Sequence, residues 1–77
     1  MKEVLHYILA NILGNPEALS IDQQVEEDGT IVFVLNMDDA DKGLVIGKGG
    51  MNIKSIRNII SIIARRENKK VYIKITD

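Results

Sequence analysis

The amino-acid sequence predicts an α+β fold in which three helices pack against a three-stranded mixed sheet. Helical and strand-like apolar patterns follow one another along the 77 residues in the order α-β-β-α-α-β. About 34 residues, with two helical patterns among them, separate the second strand from the third. A connection of that length permits a right-handed crossover, so these two strands are predicted to be parallel. Residues 1–77 are predicted to form a single domain, because a chain this short supports one modest core.

The first helix is predicted over residues 2–13. Gly14 and Pro16 follow it directly and are typical of the end of a helix. Apolar residues recur along one side of this helix at helical spacing, namely Leu5, Ile8, Leu9 and Ile12.

A β-hairpin follows the first helix. Residues 20–26 alternate in polarity, with Ile21 and Val25 on one face, and are polar enough for an edge strand. The turn residues 27–30, with the sequence EDGT, lead into the continuously apolar run IVFVLN at 31–36. Such a run is typical of a central strand.

Two further helices and a last strand are predicted after the hairpin. A short helix spans about residues 40–46, and the longest helical pattern of the chain spans 51–67, with Asn68 as a left-handed stop. Alternating residues at 71–76 predict the third strand. Three acidic side chains before and within the short helix offer N-caps for it, namely Asp38, Asp39 and Asp41.

The charges of the chain are unevenly distributed. A net charge of −1 argues at first against nucleic acid, because binding to a phosphate backbone is largely electrostatic. However, residues 1–41 contain nine acidic residues and only Lys2 as a basic one, whereas residues 42–66 contain six basic residues and no acidic one. The basic segment includes the glycine-rich stretch at 47–50. A local site for an anionic ligand therefore remains compatible with the composition.

The composition excludes several classes of function. Without cysteine, the chain has no disulfide, thiolate metal site or thiol nucleophile, and a reducing, cytoplasmic setting is expected. Polar residues interrupt the N-terminal apolar run, which predicts a domain helix and neither a signal peptide nor a membrane span. The single histidine, His6, lies far from the glycines in sequence, and no serine has a base nearby. No enzymatic activity, cofactor, metal ion or small-molecule substrate is predicted, and the three aspartates lack the spacing of a calcium loop.

The segment VIGKGG, residues 45–50, lies where the short helix ends and the long helix begins. Accessible backbone N–H groups, the positive end of a helix and Lys48 together favour an anion there. A Walker loop is excluded because only three residues separate Gly43 from Gly47 and no Ser or Thr follows the lysine. A dinucleotide fingerprint fails because Asn52 occupies its last glycine position and a helix precedes it. Contact with a phosphate chain is favoured over a turn that needs glycine for geometry alone.

The segment GLVIGKGGMNIKSIRNII, residues 43–60, resembles the core of a KH domain. It has Gly-x-x-Gly between two helices, with Val45-Ile46 before the loop and Ile53 and Ile56 after it. The order of elements resembles the type II KH arrangement, and the whole chain resembles the KhpA family of small bacterial RNA-binding proteins. This resemblance implies binding of single-stranded RNA and a role as an RNA chaperone or post-transcriptional regulator. In some bacteria it also implies a link to cell-wall growth and cell shape.

The resemblance also implies which residues contact RNA. The Gly-x-x-Gly loop would clamp the backbone of about four nucleotides, while the third strand and flanking isoleucines would line a groove for the bases. The chain departs from the family in two ways that predict weak, permissive binding: Met51 stands where family members often have a basic residue, and aromatic residues are scarce. The predicted RNA-binding residues are Ile46, Gly47, Lys48, Gly49, Gly50, Asn52, Ile53, Lys54 and Arg57.

A second apolar line is predicted on the long helix. Ile62 does not fall on the core-facing side of this helix. It falls on a different side, together with Met51 and Ser55. Ile59 lies at the edge of the core-facing stripe. These four residues predict a self-complementary interface, whereas the alternative is a wide core stripe with one exposed isoleucine. The resemblance implies a homodimer and a larger KH-domain partner of the KhpB kind. A protein adapter with little RNA affinity is therefore the alternative function.

Overall fold

The computed structural model describes residues 1–76, and the predicted order of helices and strands is confirmed within that range. Each predicted boundary lies within one residue of the observed one. A 3₁₀ turn at Pro16–Ala18 follows the first helix, and a second one at Lys48–Gly50 joins the second and third helices. The elements are α1 (Lys2–Ile12), β1 (Ser20–Val25), β2 (Ile31–Asn36), α2 (Asp39–Ile46), α3 (Met51–Arg66) and β3 (Val71–Ile75).

The sheet has the strand order β1-β2-β3, with β2 in the centre. β1 and β2 pair antiparallel, and Gln23 lies opposite Phe33. β2 and β3 pair parallel, and Ile73 lies beside Phe33. The connection between these two strands contains α2 and α3, which confirms the predicted crossover and the mixed sheet.

The core lies between the helices and one face of the sheet. Along β2, Ile31, Phe33 and Leu35 are buried against the helices, while Val32 and Val34 point to the opposite, partly exposed face. This alternation follows from the period of two along a strand. The helices contribute a matching set of buried apolar side chains, namely Leu5, Leu9, Val45, Ile53, Ile56, Ile60 and Ala64.

The end of β1 differs from the sequence-based expectation. Ile21 is buried, as predicted, but Val25 on the same face is 65% exposed. Its partner on the central strand, Ile31, is only 4% exposed. The helices therefore cover the inner strand at this end of the sheet and leave the end of the edge strand open.

The three aspartates around the start of α2 have three different roles. Asp38 is the N-cap, since its Oδ1 accepts the Ala40 N–H at 3.0 Å. Asp39 pairs with Lys42 at 2.9 Å on the surface. Asp41 is not a cap: it is 5% exposed, and its two oxygens accept the N–H groups of Gly14 and Asn15 at 3.1 and 3.0 Å. Among residues 1–76, no group of three His, Cys, Asp or Glu side chains is placed to hold a metal ion.

Asp41→Ala is expected to lower the free energy of unfolding by about 2–4 kcal/mol, because it leaves two N–H groups after α1 without an acceptor. Urea unfolding followed by circular dichroism measures this change. Asp39→Ala is the matched control on the same helix, and a change of at most about 0.5 kcal/mol is expected because its ion pair is exposed. Equal effects of the two substitutions would contradict the special role of Asp41.

Candidate nucleic-acid interface

The loop between α2 and α3 contains three glycines with positive φ. Gly47 has φ 74° and ψ 172°, a region of backbone conformation that essentially only glycine adopts. Gly49 and Gly50 are both left-handed, and a Cβ atom added to either would meet nothing within 4 Å. Gly47 is therefore required by conformation, whereas the other two leave open space around the backbone.

The Asn52 side chain holds the loop in this conformation. Its Nδ2 donates to the carbonyl oxygen of Leu44 at 2.8 Å. A Cβ atom at Gly47 would lie 2.6 Å from the Asn52 Cγ, so the absence of a side chain at Gly47 makes room for this contact. The carbonyl of Leu44 would accept from Lys48 if α2 continued as a regular helix. The Asn52 amide donates to this carbonyl instead, and α2 ends at Ile46 with Gly47 as its C-cap.

The consequence is a pair of accessible backbone donors at the start of α3. Among residues 1–76, no backbone hydrogen bond uses the N–H of Lys48 or of Gly49. The Lys48 side chain is exposed, and the first turn of α3 contains no acidic residue. Free N–H groups, a helix N-terminus and a lysine at one point form an arrangement suited to a phosphate group.

A groove runs between α3 and the free edge of β3. Its volume is about 160 Å³. The Arg57 Nη2 donates to the carbonyl oxygen of Ile73 on β3 at 3.3 Å, and its Cζ lies 6.0 Å from the centre of the Tyr72 ring. Backbone groups alternate along a strand, and β3 is paired on one side only, so this carbonyl lies at the open edge of the sheet. The residues that line the groove are Arg57, Ser61, Val71, Tyr72 and Ile73.

The predicted RNA-binding residues differ in how they are placed. Ile46 is 41% exposed beside the loop, and Lys54 is exposed on the groove side of α3. Ile53 lies in the core with 8% exposure, so its side chain offers little surface to a ligand. Arg57 lines the groove. Asn52 is exposed, but its amide nitrogen is already engaged within the protein.

A second, apolar surface lies on another side of α3. At 3.6 residues per turn, Lys54, Arg57 and Ser61 fall on the side that faces β3. The four residues predicted as an interface fall on the outer side, away from both the core and the groove. All four are exposed, with 69% exposure for Met51, 44% for Ile59 and 57% for Ile62. The predicted core residues of this helix are buried, except that Ile63 is half-buried. We call this outer line, Met51, Ser55, Ile59 and Ile62, the α3 apolar line.

Tyr72 is the residue of this region that sequence reasoning missed. It lies 24 residues after Lys48 in sequence and is not among the predicted RNA-binding residues. The parallel crossover places β3 beside α3, and the exposed Tyr72 ring therefore lines the groove with Arg57. The signal that could have found it is the alternation along residues 71–76, which places position 72 opposite the core-facing positions.

The fold and the loop together define a type II KH domain: the chain has the order α-β-β-α-α-β, one parallel pair in a three-stranded sheet, and a Gly-x-x-Gly loop between α2 and α3. The family model described as KhpA/KhpB, KH domain, matches residues 2–75. This chain belongs to that family.

Named relatives extend over the same length. The chain is similar to the RNA-binding protein KhpA of Chlamydia trachomatis, with 38% identity over 77 residues that cover 100% of this chain and 97% of the relative. It is also similar to the RNA-binding protein KhpA of Clostridium perfringens, with 35% identity over 97% of this chain and 99% of that protein. The protein of the same name from Thermotoga maritima is 35% identical over 97% of each chain. Within residues 1–76, no helix is long and apolar enough to cross a membrane.

Proposed function

We propose that this protein binds single-stranded RNA by clamping the RNA backbone at Gly47, Lys48, Gly49 and Gly50. The accessible N–H groups of Lys48 and Gly49 at the N-terminus of α3 carry the proposal. Two phosphates of a strand would accept from these groups, and the Lys48 ammonium would pair with the same strand. The names of the relatives, which are RNA-binding proteins, support the same ligand.

The bases would enter the groove between α3 and β3. Ile46 offers an apolar contact at the loop, and the free edge of β3 offers backbone groups to base edges. Lys54 and Arg57 would add charge along the strand. The proposed activity is binding without a catalytic step, in the cytoplasm, as an RNA chaperone or post-transcriptional regulator. A link to cell-wall growth and cell shape belongs to the same proposal.

We further propose that the protein acts as a homodimer through the α3 apolar line. Met51 replaces the basic residue that would strengthen a single clamp, so one loop alone binds weakly. Two loops on one RNA raise the overall affinity through effective concentration. The apolar line lies on a different side of α3 from the groove, so dimerisation leaves both grooves accessible.

A second candidate function is a protein adapter with little RNA affinity of its own. The observation that favours it is the exposure of the α3 apolar line, which offers a surface to another KH domain. In that case a larger KH-domain partner of the KhpB kind is proposed to bind the α3 apolar line. It would compete for this surface with a second copy of the chain.

The experiment that separates the two functions is a fluorescence anisotropy titration of the wild-type protein with labelled single-stranded RNA. The RNA proposal expects saturable binding that weakens as salt is raised, with a shallow slope because the loop contacts few phosphates. Absence of binding at protein concentrations up to about 1 mM would favour the adapter. A dissociation constant of that size corresponds to a binding free energy of only about −4 kcal/mol.

A further inference from the structure

The groove between α3 and β3 continues past Arg57 toward the C-terminal end of α3. A second section of about 390 Å³ shares Ser61, Val71 and Tyr72 with the first, so the two sections adjoin each other. Arg65, Lys69 and Lys70 line this second section. We call these three residues the basic end of the groove.

A row of basic residues on α3 connects the loop with the basic end. Lys54, Arg57 and Arg65 are three and eight residues apart and fall on one side of the helix, with Ser61 between the last two. All three basic side chains are exposed. Basic side chains therefore lie along α3 from the loop to the C-terminal end of the groove.

Arg65 and Lys69 have no ion-pair partner among residues 1–76. The acidic side chain that faces this end of the groove is Asp28 in the β1–β2 turn. Its Oδ1 accepts the Thr30 N–H at 2.9 Å, and this hydrogen bond, with a smaller contribution from Lys70, lowers the pKa of the Asp28 carboxyl. Asp28 thus offsets part of the Lys70 charge and leaves Arg65 and Lys69 available for an anion.

Tyr72 lies between the two sections of the groove and is 64% exposed. A flat aromatic ring beside cationic side chains is the arrangement with which proteins stack the bases of single strands. The neighbouring Arg57 guanidinium, 6.0 Å from the ring centre, is held by the Ile73 carbonyl, so one edge of this platform is fixed.

We propose that a single-stranded RNA held at the loop continues along the groove, stacks a base on Tyr72 and places one phosphate against Arg65 and a second against Lys69. This inference rests on the proposed RNA binding and adds a second contact site for the same strand. Arg65 lies 14 residues beyond Met51, a distance of about 21 Å along the helix axis. A strand with the stacked spacing of about 3.4 Å needs about six nucleotides to cover it, more than the four that a Gly-x-x-Gly loop clamps.

The test compares labelled random-sequence RNA pools of four and twelve nucleotides in anisotropy titrations. Arg65→Glu/Lys69→Glu is expected to weaken binding of the 12-mer at 0.1 M salt at least about 20-fold, because two phosphate contacts are lost. Binding of the 4-mer is expected to change less than about twofold. The slope of log binding constant against log salt concentration for the 12-mer should fall in magnitude by about 1.4, which is about 0.7 for each lost phosphate contact. Tyr72→Leu is expected to weaken the 12-mer about tenfold without changing the slope.

Two controls make the comparison specific. Arg65→Lys/Lys69→Arg preserves both charges and should retain wild-type affinity. Lys2→Glu makes a charge reversal on α1, away from the groove, and should leave the 12-mer slope unchanged. The titrations are repeated in the Ile62→Asp background, where one loop acts alone, so a length effect that comes from two loops on one RNA is removed.

The outcomes distinguish this inference from the proposed function. If the wild type binds RNA but the charge-reversed variant binds the 12-mer as the wild type does, the second site is absent. An equal loss for the 4-mer and the 12-mer also overturns it, because that result indicates a general change in electrostatic field. If the wild type binds neither pool, the proposed RNA function itself fails, and this extension fails with it.

Discussion

Replacing Lys48 and Gly49 together by aspartate is expected to abolish binding of short single-stranded RNA, with an affinity at least about a hundredfold below the wild type. The substitution removes the ammonium group and places two carboxylates beside the backbone N–H groups that would hold phosphate. A hydrogen bond to a charged group contributes about 1.5–3 kcal/mol, and about 1.4 kcal/mol corresponds to a factor of ten. Anisotropy titration with a labelled RNA of four to six nucleotides measures the loss.

The fold is expected to survive this double substitution. Gly49 has φ 65° and ψ 18°, a left-handed conformation that aspartate tolerates better than most residues. The new side chain meets open space, and an acidic residue near a helix N-terminus is favourable. The melting temperature measured by circular dichroism should therefore change by only a few degrees.

Lys48→Asn/Gly49→Asn is the matched control for charge, because asparagine has the shape of aspartate and the same tolerance for this conformation. It should bind RNA with an affinity between those of the wild type and the aspartate variant. If the aspartate variant binds as tightly as the wild type, the RNA contact lies elsewhere and the loop is only a turn between helices.

The elements of this fold could be predicted from the sequence because their signals are local. The period of two in residues 71–76 and the helical period in residues 51–67 depend on neighbours a few positions away. The length of the connection between the second and third strands then determined their parallel pairing. Val25 was placed on the correct side of β1, but how far the helices extend over an edge strand is set by tertiary packing.

The parts that could not be predicted depend on contacts between distant residues. Asp41 looked like one of three caps, yet its hydrogen bonds go to Gly14 and Asn15, 27 and 26 residues earlier. Composition and spacing around Asp41 contain no sign of that partner. The position of Tyr72 in the groove also depends on a distant residue, because only the crossover places its ring beside Arg57.

Within the candidate site, the sequence identified the loop but not the way it is held. The three glycines were grouped as one motif, whereas the structure separates Gly47, which needs both its conformation and the space for Asn52, from the other two. Asn52 was included as a residue in contact with RNA. Its hydrogen bond to Leu44 shows a positioning role that frees the Lys48 N–H, and a direct contact with RNA stays a prediction.

The surface of α3 has three sides of different character. One side is buried in the core, the side toward β3 has the basic residues, and the outer side has the α3 apolar line. This separation allows the RNA and dimer proposals to be tested independently, because a substitution on one side does not reach the other. It also explains why both proposals are compatible in a single short chain.

Ile62→Asp is expected to convert the proposed homodimer into a monomer, with half the wild-type mass in multi-angle light scattering. In a twofold interface each substitution occurs twice, once in each copy. Lost apolar burial weakens the dimer by about 1–2 kcal/mol per copy, and burial of an unpaired carboxylate adds several more. The dimerisation constant should therefore fall more than about a thousandfold.

Val25→Asp is the matched control, because Val25 is an apolar side chain of similar exposure, 65% against 57%, on β1 and not on α3. It should leave the mass unchanged. The Ile62→Asp monomer should bind a four-nucleotide RNA as the wild type does, since the loop and groove lie on other sides of α3. It should bind an RNA long enough for two loops at least about tenfold more weakly, because the gain from effective concentration is lost. A wild type that is already monomeric at micromolar concentration would contradict the dimer and leave the α3 apolar line to a different partner.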